Sequence, residues 1–138
     1  MTPLPYLDMM VLLSALGTSE GYFVAGTPPN VNNNPGDLRW AGQDGAKEST
    51  HGQGFACFDS IGRGVSANLR QFAMDIQRGD SLRAMVYRWA PPTGNDGGNN
   101  SALYLSETIR RIKAAQGLTI DPDQPLWNYL VAGLQHIP

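Results

Sequence analysis

The chain has a single cysteine, Cys57, in 138 residues. That excludes an internal disulfide and a thiolate metal cluster. Flanked by Phe55 and Phe58, Cys57 reads as a small buried strand residue rather than a reactive thiol. Charge is also sparse: 16% of residues are charged, the net charge is −2, and the arginines are scattered. Broad electrostatic binding to nucleic acid is not expected of such a chain. No Lys or Arg occurs before Arg39, and the apolar run from Leu12 to Leu16 is short. A secretory signal needs a basic start, and a membrane span needs about 20 apolar residues. The expectation is therefore no signal peptide, no transmembrane segment and no stable membrane insertion. His51 and His136 lack metal-ligand spacing, no glycine-rich phosphate loop is present, and Ser14 and Ser19 sit in no nucleophile elbow. No metal site and no cofactor are expected.

What the chain does contain suits one compact domain over residues 1–138, with 41% hydrophobic residues to build a core. Met9, Leu12, Leu13 and Leu16 recur at helical spacing and predict a helix over residues 5–20, with Gly21 to close it. A long loop follows from Gly21 to Asn34. Leu38 to Ala41 and Gly54 to Asp59 read as two short strands joined by a polar, glycine-rich connection. Residues 60–77 predict the clearest helix, capped by Ser60, with Ile61, Val65, Leu69, Phe72 and Ile76 on one face. Asp80 is expected to cap a helix that Pro91 and Pro92 end. A further helix starts at Asn100 or Ser101, carries Leu105, Ile109 and Ile112, and stops at Gly117. The last begins at Asp121 or Asp123 and turns Leu126, Leu130 and Leu134 inward. Five helices with one small β element make an α+β, mainly α, domain.

One acid stands out. If the first helix reaches Glu20, its carboxyl lies four residues from Leu16 and seven from Leu13, at the end of the apolar face. Partial burial and the negative end of the helix dipole would both raise its pKa. A carboxyl kept protonated near neutral pH suits a general acid acting on a glycosidic oxygen. If the helix stops at Gly17, Glu20 is a solvated loop residue. The run Asn32, Asn33 and Asn34 before Pro35-Gly36 reads either as turn chemistry or as amides that bind sugar hydroxyls and acetamido groups. Trp89 reads as core or as a wall for a sugar ring. Tyr104 lies off the apolar stripe, on a face with Glu107, Thr108 and Arg111, where it either reaches a cleft or covers surface. Asp37, Asp44 and Asp59 are all candidates for a second carboxylate.

The order of these segments resembles a known family. ALGTSEG (Ala15 to Gly21), NNPGDLR (Asn33 to Arg39), FACFD (Phe55 to Asp59), RWAPP (Arg88 to Pro92), NNSALY (Asn99 to Tyr104) and DPDQPL (Asp121 to Leu126) are similar to small phage- and prophage-related proteins. Those proteins, often described as virion-associated, look like members of the lysozyme-like superfamily. The resemblance covers most of the chain, and NNPGDLR and RWAPP carry most of its specificity. It implies a lysozyme-like helical domain with a small β-hairpin lobe and a peptidoglycan cleft. It implies Glu20 as the catalytic acid, the loop and strand from Asn33 and Asn34 to Arg39 beside it, and Tyr104 across the cleft. At Asp37 this chain departs from the pattern, where Asn is usual.

Two function classes follow. One is a peptidoglycan-cleaving glycosidase, hydrolytic or of the lytic transglycosylase type, acting in the periplasm or cell wall on glycan strands. The other is a non-catalytic glycan-binding or assembly module, with a virion or secretion-apparatus component as partner and the surface around Trp127 and Tyr129 for docking.

Overall fold

The computed structural model describes residues 6–51, 54–92 and 100–130. The fold is α+β and mainly α. Its elements are α1 (Met9–Glu20), α2 (Pro28–Val31), β1 (Ala46–Glu48), β2 (Ala56–Phe58), α3 (Ile61–Gln77), α4 (Leu82–Trp89), α5 (Ser101–Gln116) and α6 (Trp127–Leu130). The strands pair antiparallel, with Lys47 opposite Cys57. The chain divides into two compact units, one of Leu13–Phe72 and the other of Met1–Leu12 with Ala73–Pro138.

In the first unit, α1 continues through Gly17 to Glu20. It begins at Met9, later than the periodicity predicts. Its end is a Schellman closure: the Tyr22 N–H donates to Gly17 O (2.9 Å) and the Gly21 N–H to Thr18 O (3.2 Å), with Gly21 at φ +85°. Glycine adopts that left-handed turn without a steric penalty. Gly17 serves a different purpose. A Cβ there would lie 3.2 Å from Pro35 O, so the bare helix face admits the loop that follows the asparagines. The predicted long loop also contains α2, opened by Pro28 in the first turn, where a missing N–H costs nothing.

The predicted strands need correction. Leu38 to Ala41 is not a strand but a single bridge, Arg39 to Phe55. The partner of β2 is Ala46–Glu48, inside the segment expected to be a connection. Ala56 and Phe58 are buried, so Cys57 between them faces the other way and is half-exposed. Ser60 does cap α3, accepting from the Arg63 N–H at 3.2 Å. The buried face of α3, however, is Gly64, Asn68, Phe72, Asp75 and Ile76, whereas Ile61 is exposed. Hydrophobic spacing missed this rotation because two of the buried positions are polar.

The second unit is built on α4 and α5, with Leu82, Met85, Val86, Leu105 and Ile112 buried. Asn100 caps α5 and Gly117 ends it in the left-handed conformation. Ser81, not Asp80, caps α4. Asp80 instead joins a cluster. Arg78 reaches Asp75 at 2.7 Å and Asp80 at 3.0 Å, and Arg88 reaches Asp80 at 2.6 Å. The Asp75 side chain is fully buried, so removing either arginine would leave buried charge poorly compensated. The Asp80 carbonyl also accepts from the Leu126 N–H at 2.9 Å. Residues 121–126, predicted to open a helix, instead form a turn, with the Gln124 N–H donating to Asp121 O at 3.3 Å, and a single bridge from Pro125 to Ser81. Of the predicted inward leucines there, Leu126 is buried, Leu130 is half-buried, and Leu134 lies outside the described residues. The glycine-rich segment 93–99 also lies outside them.

Gly64 supplies the sharpest test of this packing. A Cβ there would fall 1.7 Å from Asn33 O. Alanine usually favours a helix over glycine, yet Gly64→Ala should cost ~3 kcal/mol, at the upper end for an overpacked site. Gly62→Ala, where the nearest atom is 4.0 Å away, should stay within about 0.5 kcal/mol of wild type or gain slightly. Urea denaturation of the two variants measures the contrast.

Candidate functional site

Glu20, Asn33, Asn34 and Arg39 all belong to the first unit, and Trp89 and Tyr104 to the second. Glu20 is the last residue of α1 and is half-buried. The helix therefore does carry this acid to its end, one turn beyond the Gly17–Pro35 approach. The loop after it is tied at both ends. The Thr27 hydroxyl donates to Gly21 O (2.7 Å), and Asn30 Nδ2 donates to Tyr22 O (3.0 Å).

The asparagine run is internal scaffolding. Asn32 is fully buried, donating to His51 O (3.0 Å) and accepting from the Ser49 hydroxyl (2.6 Å). Asn34 is fully buried as well. Its Nδ2 donates to Leu38 O and Ala56 O, both at 3.0 Å, and its Oδ1 accepts from the Leu38 N–H (2.9 Å) and from Asn68 Nδ2 (3.2 Å). The expectation that Asn34 meets a sugar gives way to this role, since a side chain with no exposed surface has none to offer. Asn33 is half-buried at φ +52° and donates to Phe58 O (3.1 Å). Left-handed backbone is tolerated by asparagine better than by most residues, which accounts for its presence at this turn.

Arg39 is exposed, and its guanidinium lies 4.5 Å from the centre of the Phe55 ring. Trp89 donates its indole N–H to Asp75 Oδ2 at 3.4 Å and is half-buried, so it belongs to the acidic cluster of its own unit. Tyr104 is half-buried in the first turn of α5, with its backbone carbonyl accepting from the Thr108 hydroxyl (2.8 Å). Trp127 is exposed, and Tyr129 is half-buried with its hydroxyl accepting from the Asp121 N–H at 2.6 Å.

Two features were not singled out by sequence. The first is Asp37, which combines three unfavourable conditions. Its backbone is left-handed at φ +53°. Its Oδ1 is buried without a hydrogen-bond partner among the described residues. Burial pushes its carboxyl up to about 6, against the opposing pull of the Arg39 charge. The second is Trp40, 46% exposed on a tightly bonded backbone. Only the departure of Asp37 from the usual Asn hinted at the first, and nothing in the pattern flagged the second.

The hairpin carries an open groove of about 380 Å³ lined by Gly45, Ala46, Lys47, Cys57, Phe58 and Asp59. Of the residues put forward by sequence, Asp59, a candidate second carboxylate, lines it, and Glu20, Asn33, Asn34, Arg39, Trp89 and Tyr104 do not. Among the described residues, no group of three or more His, Cys, Asp or Glu is placed to hold a metal, and no helix is long and apolar enough to cross a membrane. Comparison with protein families, curated proteins and solved structures finds no match to this chain.

Two outcomes test these assignments. Because burial raises the Asp37 carboxyl from 3.8 to about 6 on folding, the contribution of this group to stability is fully present below pH 3.8 and is lost as pH rises through about 6. A rise of this size corresponds to about 3 kcal/mol, which partial solvent access reduces to ~1–2 kcal/mol. Asp37→Asn should therefore raise the urea midpoint at pH 7.5 and flatten the pH dependence between 4 and 6. Asn34→Ala, which orphans several buried backbone groups, should destabilise by ~3 kcal/mol in the same assay.

Proposed function

We propose that the chain cleaves the glycosidic bonds of peptidoglycan strands, in the manner of lysozymes and lytic transglycosylases, with Glu20 as general acid. One observation carries the reading: α1 runs through Gly17 and ends at Glu20, so a half-buried carboxyl is held at a helix C-terminus. There the helix dipole favours the protonated form. The resemblance of NNPGDLR and RWAPP to lysozyme-like, phage-related proteins points the same way.

In this reading Glu20 protonates the oxygen of the leaving sugar as the bond to the anomeric carbon breaks. The resulting positive charge is relieved by water or by the sugar's own 6-hydroxyl, giving a reducing end or a 1,6-anhydro end. Asp37, whose carboxyl burial raises to about 6, is a candidate in the same unit for assisting water. Such a substrate sets the site of action at the cell wall, and a virion or secretion component would be the carrier.

A second reading, a non-catalytic glycan-binding or assembly module, draws support from the asparagines. Their amides are occupied by the backbone, which leaves fewer groups to orient a reacting sugar.

Incubation with purified peptidoglycan, followed by mass spectrometry of the soluble products, separates the two. Turnover by wild type and a loss of about 10²–10⁴-fold in Glu20→Gln, the usual cost of removing a general acid, supports the enzyme. Equal activity of the two proteins removes Glu20 from the mechanism. Binding without turnover by wild type selects the second reading.

A further inference from the structure

Several exposed aromatic or apolar side chains have no evident role in the fold. Phe23 is 62% exposed and meets Tyr22 edge-on at 5.1 Å. Trp127 is 52% exposed but adjoins residues outside the described set. Trp40 differs from both in how its backbone is held.

The Trp40 N–H donates to Gly54 O at 2.9 Å. The side chain of Gln43 then grips the residues on either side. Its Nε2 donates to Arg39 O (2.8 Å), and its Oε1 accepts from the Ala41 N–H (2.8 Å). One residue further back, Leu38 is bonded by Asn34 through both its N–H and its carbonyl. Arg39 itself lies over Phe55, and Gly54, at φ +84°, leaves room for it: a Cβ there would sit 3.3 Å from Nη1. An indole with nearly half its surface in water is thus fixed on a stretch whose backbone is bonded on both sides.

Leaving an indole in water sacrifices burial energy. Bonding its neighbours from both sides removes the backbone freedom that a ligand would otherwise have to freeze. A rigid aromatic surface of this kind suits a ligand with a flat apolar face and a polar rim. A pyranose ring has both: axial C–H groups on one face and hydroxyl or acetamido groups around the edge.

We propose that Trp40 is a stacking platform for an N-acetylhexosamine ring of the glycan strand, with Gln43 as its positioning residue. The proposal rests on the reading of this unit as a peptidoglycan-cleaving site, and it adds a subsite to it.

The test uses the full chain in a Glu20→Gln background, so that binding is measured without turnover. Its probes are N-acetylglucosamine hexamer and soluble peptidoglycan strands, followed by calorimetry. Trp40→Ala should weaken binding by at least ~10-fold, as for a central aromatic contact. Trp40→Phe, which keeps a smaller ring, should restore most of it. Gln43→Ala in the otherwise wild-type enzyme should raise KM and leave kcat unchanged. Urea midpoints and sedimentation accompany each variant. Unchanged affinity in Trp40→Ala overturns the proposal, as does a loss that tracks a change in oligomeric state, which would make Trp40 an interface between copies. If wild type cleaves peptidoglycan while Trp40→Ala keeps its KM, the platform fails and the role of Glu20 stands. If wild type neither cleaves nor binds either probe, the enzyme reading fails and the platform falls with it.

Discussion

Four hydrogen bonds meet at the side chain of Asn34, two donated to carbonyls and two accepted at Oδ1. Among its described residues the first unit has two three-residue strands. Its long irregular segments must still satisfy their buried backbone groups. Asn34 does so where a wider sheet would otherwise be needed, joining the turn at 34–38 to β2 and, through Asn68, to α3. Asn32 repeats the device with Ser49 and His51. The turn that carries Asp37 and leads into Arg39 and Trp40 is held by this network.

Much of the helical frame was legible in the sequence. Ser60, Asn100, Gly21 and Gly117 mark helix ends through local backbone chemistry, which needs no tertiary context. The spacing of Met9, Leu12, Leu13 and Leu16 marked α1 but left open whether it stops at Gly17 or, as it does, reaches Glu20. What could not be read were features set by contacts distant in sequence. The buried face of α3 turned away from its apolar stripe because Asn68 meets Asn34 and Gly64 meets Asn33. Asp80 looked like a cap and became an ion-pair partner because Arg78 and Arg88 converge on it. The strand pairing was misplaced because β1 is polar and exposed, without the alternation that marks a half-buried strand. The asparagines were read as ligand contacts or as turn formers; Asn33 does occupy a left-handed turn, and all three amides donate to backbone carbonyls of the same unit.

The carboxylates of the two units follow opposite rules. Asp75 is wholly buried and Asp80 nearly so, and both are matched by arginine. Asp37 retains contact with water, yet one of its oxygens is buried without a partner among the described residues. The first arrangement serves the fold, because each desolvated charge is met by another. The second weakens the fold at neutral pH, as strained and poorly satisfied groups at reactive positions often do.

The hydroxyl of Thr27 closes the GYFVAG loop onto Gly21, and the Schellman turn fixes the point of departure. Both anchors belong to the stem, and the residues between them, Phe23 to Gly26, are exposed. The tip is thus a cassette. It can be lengthened, shortened or recoloured chemically without shifting the acid before it or the asparagines after it. Sequence change would then be tolerated in these four residues, Phe23 to Gly26, while the stem keeps its place.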